Sequence, residues 1–238
     1  MTDKAEVLAL IPARGGSKSV PRKNLRLLRG MPLVSHSITQ AKEARRVTRV
    51  IVSTDDPEIA EVGRAAGAEV PFMRPSSIAQ DLSTDYEFVR HALAWLRDNE
   101  EYEPDFVVQL RPTIPVRDVC IIDEAILAIS SNPKADSLRA VAEACFTPYK
   151  MWHLGEGGYL SPLLSLPHIR EPWNEPRQVL PAVYQQDGYI DIVRPRTIFE
   201  QHSITGKCIM PFFLERPSID IDFEWELAQA ESLLTQQK

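Results

Sequence analysis

Val7-Leu-Ala-Leu-Ile-Pro-Ala-Arg-Gly-Gly-Ser-Lys18 is an apolar run that stops at a proline and then at a pair of glycines. Such a run, cut off by turn formers, reads as a strand buried on both faces that delivers its carboxyl end into a loop. Downstream, Leu33, Val34, Ser37, Ile38 and Ala41 recur at helical spacing, and Val50-Ile-Val-Ser53 is a second strand. Strand, helix and strand within this span predict a β-α-β unit and hence a parallel pair.

The alternation continues. Asp56-Pro57 marks the cap and first turn of a helix running to Ala66, and Ala68 to Val70 is expected as a short strand. Thr84 to Asn99 reads as a helix with Phe88, Val89, Ala92, Leu93 and Leu96 as its buried stripe. Phe106 to Leu110 is a strand, and Asp118 to Ser131 is a helix carrying Ile122, Ala125, Ile126 and Ile129 at helical spacing. The expected fold is a three-layer α/β/α sandwich around a mostly parallel sheet.

From about Thr147 to Ala182 the periodicity gives way to prolines, glycines and the aromatics Trp152, Tyr159 and Trp173. That is too long for an ordinary connection, so this segment is expected to be a lid or a dimerisation insertion in a single domain spanning 1–238. Order resumes with strands at Tyr189 to Val193 and Cys208 to Leu214. A final helix then places Phe223, Leu227, Ala230 and Leu234 on one face.

With 238 residues, 44% of them hydrophobic, the chain can bury a substantial core. A net charge of -6 excludes a general binder of nucleic acid or anionic membrane, which needs excess Lys and Arg. The start Met1-Thr-Asp-Lys-Ala-Glu6 has no secretory leader pattern and no later stretch is apolar enough to span a bilayer, so a soluble cytoplasmic protein is expected. Cys120, Cys145 and Cys208 are far apart and are expected as buried thiols rather than a disulfide or zinc framework. The five histidines show no ligand spacing, and Trp152 and Trp173 are expected at an interface more than in a sugar pocket.

Against that acidic background, Arg14, Lys18, Arg22 and Lys23 crowd into one loop. Concentrated like charge repels unless a polyanion is expected, and Gly15 and Gly16 would let successive N–H groups turn toward it. The segment matches neither GxxxxGK[ST] nor GxGxxG, so a different phosphate loop is implied. Asp220-Ile-Asp222 is the clearest acidic signal: in an extended segment both carboxylates project to one face and can reach one cation, although Asp222 could also cap the last helix.

Ile11-Pro-Ala-Arg-Gly-Gly-Ser-Lys-Ser-Val-Pro-Arg-Lys-Asn24 resembles the signature of the acylneuraminate cytidylyltransferases, and the similarity continues in order along almost the whole chain. The resemblance implies that the loop, with Ala13, Arg14, Gly15, Gly16, Ser17, Lys18, Lys23 and Asn24, wraps the triphosphate of CTP. In Arg74-Pro-Ser-Ser-Ile-Ala-Gln-Asp81 it implies that Arg74 and Ala79 lie against cytosine, and that Asp220 and Asp222 hold Mg²⁺. Ser53-Thr-Asp-Asp56 resembles the family too, with capping and substrate roles equally open for Asp55 and Asp56.

Two departures fall on the sugar side. Leu110-Arg-Pro-Thr-Ile-Pro-Val-Arg117 stands where the family reads Leu-Gln-Pro-Thr-Ser-Pro-Leu-Arg, so Arg111 replaces an amide, with Thr113 beside it. Tyr184-Gln-Gln-Asp-Gly-Tyr-Ile-Asp191 stands where the family reads Asn-Gly-Ala-Ile-Tyr, placing Gln186 and Asp187 in the expected sugar site. The expected reaction is in-line attack of the anomeric hydroxyl of a nonulosonic acid on the α-phosphorus of CTP, with Arg14, Lys18 and Lys23 neutralising charge. A homodimer is implied as well. A sugar-1-phosphate nucleotidyltransferase and a non-catalytic nucleotide-binding regulatory module are the alternatives.

Overall fold

The computed structural model describes residues 5–236. Ten strands and six α-helices follow in chain order: β1 (Val7–Pro12), β2 (Leu27–Leu28), β3 (Met31–Pro32), α1 (Leu33–Glu43), β4 (Arg49–Ser53), α2 (Pro57–Ala65), α3 (Asp85–Glu100), β5 (Phe106–Gln109), α4 (Val119–Ser130), β6 (Ser137–Glu143), β7 (Trp152–Leu154), β8 (Leu160–Pro162), β9 (Tyr184–Val193), α5 (Pro195–Glu200), β10 (Ile209–Phe213) and α6 (Glu224–Gln236). The main sheet has the order β10-β6-β9-β5-β1-β4. Beside the edge strand β4, β1 runs parallel to both β4 and β5, while β9 runs antiparallel to β5.

The layers follow from side-chain alternation. Leu8 and Leu10 of β1, Ile51 of β4 and Val107 of β5 pack with Phe88, Val89, Leu93 and Leu96 of α3 and with Ile198 of α5. On β4 the next residue, Val52, points the other way and meets α2 so closely that a Cβ on Gly63 would stand 3.3 Å from its Cγ2. Helices therefore cover both faces, as an α/β/α sandwich requires.

Local signals set the helix starts. Asp56 accepts from the N–H groups of Glu58 and Ile59 at 2.8 and 3.2 Å, Asp118 accepts from Cys120 N–H at 2.9 Å, and Glu87 reaches back to Thr84 N–H at 2.6 Å. At α6 the cap is Glu226, which takes the N–H groups of Asp222 and Phe223 at 2.6 and 2.7 Å. Asp222 is thus not the capping side chain, and Phe223 lies exposed ahead of the helix while Leu227 and Ala230 are buried.

Other expectations also shift. Around Ala68 to Val70 the ladder is one bridge, Glu69 to Ile51. β9 starts five residues before the expected Tyr189, and β6, with Leu138, Ala140 and Ala142 facing inward, adds a strand built on small residues that carry little hydrophobic signal. All three cysteines are exposed rather than buried. Cys120 precedes the Ile122 stripe on α4 by about half a helical turn, so it faces away from the core.

The chain divides into two compact units. One takes in the residues up to Ala140, Asp187–Phe212 and Ser218 onward; the other is Val141–Gln186 with Phe213–Pro217. In the second unit β7 and β8 form a hairpin, and the ring of Trp152 meets that of Trp173 at 5.2 Å, tilted by 57°. Phe146, Leu154, Tyr159 and Leu160 there are all exposed.

Candidate active site

In the first unit β1, β4 and β5 all end on the same side, where Pro12, Ser53 and Gln109 hand the chain to loops. The carboxyl edge of parallel strands is where open α/β sheets place ligands. A pocket there is lined by Arg14, Ser17, Lys23, Asn24, Arg74, Ala79, Asp81, Asp85, Phe88, Gln109, Arg111 and Thr113, among others.

The loop after β1 is built for close approach, not for unusual backbone angles. Gly15 has no positive φ, but a Cβ on it would sit 2.8 Å from Asp56 Oδ2 and 2.9 Å from Asp56 Cβ. Gly15 is therefore required by space, Gly16 has open space, and the left-handed residue of the loop is Arg22, at φ 54°.

Carboxylates of this chain occupy the loop's donors. Gly15 N–H donates to Asp55 Oδ1 at 3.0 Å, Arg14 Nη1 donates to Asp81 Oδ1 at 2.9 Å, Lys18 pairs with Asp81 Oδ2, and Lys23 Nζ donates to Asp222 Oδ1 at 2.8 Å. Lys18 first and Arg14 second hold the Asp81 carboxyl below the usual range. Asn24 Nδ2 donates to the carbonyl of Arg14 at 2.9 Å and fixes the turn. Ser17 lines the pocket, while Arg22 points away to Glu58 and Asp56.

Anions already stand where a polyanion would bind, so binding must displace them. Asp81→Asn is expected to tighten CTP binding about two- to fivefold, the worth of an exposed ion pair. Titration calorimetry reads this directly, and weaker binding would mean that Asp81 serves the ligand instead of competing with it.

The distant Asp220 and Asp222 reach this loop through a second core. Val20, Leu28 and Leu33 pack with Ile221, Leu227 and Ala230, which draws the segment before α6 against the basic loop. Lys23 is buried and Asp222 exposed. Asp220 hydrogen-bonds the side chain of Thr113. Although the residue as a whole is exposed, its carboxyl lies low enough against the chain to be partly desolvated; this and the Asp222 charge raise it above the ordinary carboxylate range, while Thr113, Lys23 and Arg111 oppose the shift. Among the described residues no group of three or more His, Cys, Asp or Glu gathers around one point as a metal cage.

Arg74 is buried and fixed by Ser53: its Nε donates to Ser53 Oγ at 3.0 Å and its Nη2 to the Ser53 carbonyl at 2.5 Å, with the guanidinium 4.7 Å over the Phe88 ring. Burial pushes it down to about 10. Behind it His91 Nδ1 is buried without a hydrogen-bond partner, and its ring meets Phe72 edge-on at 4.9 Å. Burial first and Arg74 second lower the His91 pKa. A depressed folded value means the unfolded chain binds the proton more tightly, so stability is lost as pH falls below about 6.5, the unfolded value. Tm should therefore drop between pH 7 and 5 in the wild type and drop less in His91→Phe; identical slopes would remove His91 as the cause.

On the expected sugar side the residues separate. Arg111 and Thr113 line the pocket. Asp187 is buried: Oδ1 accepts from Tyr189 N–H at 2.9 Å and from the Ser218 hydroxyl, and Oδ2 accepts from Ser218 N–H at 2.8 Å. It ties β9 to the segment leading into Asp220, and both of its oxygens are engaged inside the protein. Gln186 belongs to the second unit. Sequence reading gave no role to Asp81, Asp85 or Arg117. Asp81 and Arg117 stood inside quoted motifs, while Asp85 carried no signal beyond a helix start.

An α/β sheet with parallel strands β5, β1 and β4, carrying a cationic loop at their carboxyl edge beside a pair of carboxylates, defines a nucleotidyltransferase. The match to the cytidylyltransferase family runs over residues 8–220, and the chain belongs to that family. It is 31% identical over 230 residues, 96% of each chain, to the CMP-N,N'-diacetyllegionaminic acid synthase of Legionella pneumophila. It is also 34% identical over 149 residues, 63% of each chain, to a pseudaminic acid cytidylyltransferase of Campylobacter jejuni. The fold matches a CMP:2-keto-3-deoxy-manno-octonic acid synthetase solved with CTP, at TM-score 0.72 and 17% identity over 98% of this chain and 100% of that one.

Proposed function

We propose that this cytidylyltransferase transfers CMP from CTP to the anomeric hydroxyl of a nonulosonic acid and releases pyrophosphate. The observation that carries this reading is the set of carboxylates standing on the loop: Gly15 N–H, Arg14, Lys18 and Lys23 form an anion cradle that the chain fills with its own acids. The relatives whose names state nonulosonic acids support the acceptor class.

In the reaction the sugar oxygen forms a bond to the α-phosphorus, the bond from that phosphorus to the β-phosphate oxygen breaks, and the hydroxyl proton leaves to solvent or to a phosphate oxygen. Arg14 and Lys18 are released from Asp81 to the triphosphate and neutralise the charge that pyrophosphate carries away. Asn24 holds the Arg14 carbonyl, so the loop keeps its shape during that exchange. Arg74, buried and pinned by Ser53, presents a fixed edge for the base, with Ala79 on the same wall. Lys23 and Arg111 bracket the Asp220 side of the pocket.

Asp220 and Asp222 fit a hard divalent cation. Two neighbouring carboxylates, with the Lys23 ammonium standing beside Asp222 as a counter-charge, match the one or two carboxylates that Mg²⁺ takes beside substrate phosphates. When bound, Mg²⁺ would supply charge neutralisation at the triphosphate.

The exposed Phe146, Leu154, Tyr159 and Leu160 of the second unit suit burial against a second copy, so the active form is read as a homodimer. Among the described residues no helix is long and apolar enough to cross a membrane.

The test presents each nucleoside triphosphate with Mg²⁺ to a panel of nonulosonic acids and sugar 1-phosphates, measures pyrophosphate and weighs the conjugate. A CMP-nonulosonic acid is the expected product. A nucleotide diphosphosugar, or CTP binding without pyrophosphate, would replace this reading with another one.

A further inference from the structure

Arg111 does not stand free in the pocket wall. Its Nη2 donates to Asp85 Oδ2 at 2.6 Å, its Nη1 donates to Asp191 Oδ2 at 2.6 Å, and Arg139 Nε donates to Asp191 Oδ1 at 2.9 Å. Gln109 Nε2 donates to the same Asp85 oxygen, Oδ2, at 3.1 Å. Two guanidiniums and two carboxylates thus alternate in a neutral row. Gly188 gives that row its space, since a Cβ there would meet Ile114 Cδ1 at 2.9 Å and the Arg111 side chain at 3.4 Å.

The row changes what the exchange of an amide for Arg111 means. Its two terminal nitrogens serve carboxylates of this chain, so Arg111 adds no unpaired cation for an acidic substrate. The open member is Asp85: its side chain is 38% exposed, against 19% for Arg111 and 10% for Asp191. Asp85 lines the pocket with Gln109 and Arg111. Both of its donors meet at Oδ2, and among the described residues no donor is found at Oδ1. A sealed structural pair would engage both oxygens and hide them.

We propose that Asp85 is a specificity-determining residue whose Oδ1 accepts a hydrogen bond from a sugar hydroxyl, with Arg111 and Gln109 as the positioning residues that hold it. This rests on the reading that the pocket takes a nucleotide and a sugar. A carboxylate clamped beside a guanidinium is an acceptor only, so it selects O–H donors and rejects anionic or apolar groups at that point. Two hydroxyl sources meet in this pocket, the ribose of the nucleotide and the acceptor sugar. Asp85 shares the pocket wall with both Arg74 and Arg111, so either hydroxyl source is within the same pocket.

The experiment measures binding by calorimetry, so it does not depend on turnover. Wild type, Asp85→Asn and Arg111→Gln are titrated with CTP and with 2′,3′-dideoxy-CTP in Mg²⁺, and then with N-acetylneuraminate after saturation with a non-hydrolysable CTP analogue. A lost hydrogen bond to a charged group weakens affinity about 10- to 100-fold. If the ribose is read, Asp85→Asn loses that factor for CTP and not for the dideoxy analogue. If the acceptor is read, the loss appears in the sugar titration with CTP unchanged.

Either pattern supports the proposal, and Arg111→Gln should show a smaller loss of the same selectivity because Asp85 remains but is no longer clamped. Equal losses for CTP and its dideoxy analogue, or changes below twofold in every titration with Tm preserved, would overturn it. Should Asp85→Asn not fold, Asp85→Glu, which keeps the charge but moves it, serves in its place with the same criteria. A wild type that binds these ligands yet makes no pyrophosphate would count against the proposed reaction and leave the Asp85 test intact.

Discussion

Asp220→Ala is expected to cut Mg²⁺-dependent pyrophosphate release by about 10²- to 10⁴-fold, the scale of removing one electrostatic stabiliser of several kcal/mol at a reacting phosphate. The fold should survive, for a specific reason. In the ligand-free chain the Asp220 carboxyl is disfavoured by partial desolvation and by Asp222, so its loss removes a repulsion along with the single hydrogen bond to Thr113. An enzyme kept folded but inactive, whose activity does not recover as Mg²⁺ is raised, is therefore the expected phenotype. Turnover within a few-fold of wild type at equal Mg²⁺, with an unchanged Tm, would withdraw Asp220 from the metal site. Asp222→Ala should differ in kind: it also frees Lys23, which loses its partner at 2.8 Å, and CTP binding without metal should tighten as that ammonium becomes available.

The second large effect is on stability. Arg117 is buried, and among the described residues no carboxylate forms an ion pair with it; its Nε donates to the Tyr189 carbonyl at 2.7 Å, its Nη2 to the Arg111 carbonyl at 2.7 Å, and its Nη1 to Ser37 Oγ and Gln40 Oε1 at 3.1 and 3.2 Å. Burial pushes its pKa down to about 9, which still leaves it a cation at neutral pH. These bonds join α1, β9 and the turn from Arg111 to Pro115 at one point. Arg117→Leu leaves the carbonyls of Tyr189 and Arg111 without that donor in a dry interior, and we expect a loss of about 3–5 kcal/mol, the range found on breaking a buried charged network. Urea unfolding at constant m measures it. Arg117→Lys should recover only part, because an ammonium cannot reach four divergent acceptors. A loss under about 1 kcal/mol for Arg117→Leu would mean that the turn is held by other contacts.

Much of the fold was legible because its signals are local. Val7 to Ile11, the periodic faces of α1, α3 and α4, and the caps Asp56, Thr84 and Asp118 each announce themselves within a few residues. β6 is hard to read because alanines at its inward positions carry little contrast, and Asp222 resembles a cap because the real cap, Glu226, reaches back from within the helix. Among the site residues, the basic loop was legible from charge density alone. Asp187 was placed in the sugar site by resemblance to an aligned position, while in the fold both of its oxygens are spent on Tyr189 and Ser218.

The sequence by itself determined that a strand ends in a cationic loop, that helices and strands alternate into a three-layer sheet, and that an Asp-x-Asp pair precedes the last helix. Those are properties of neighbouring residues, set by periodicity and charge. Only the tertiary structure decided which acid meets which base: Lys23 with Asp222, Arg14 and Lys18 with Asp81, and Arg111 with Asp85 and Asp191. Partners this far apart in the chain are matched by packing of the sheet and of the core under α6, and a carboxylate's role depends on what stands within 3 Å of it, which no spacing in the sequence encodes.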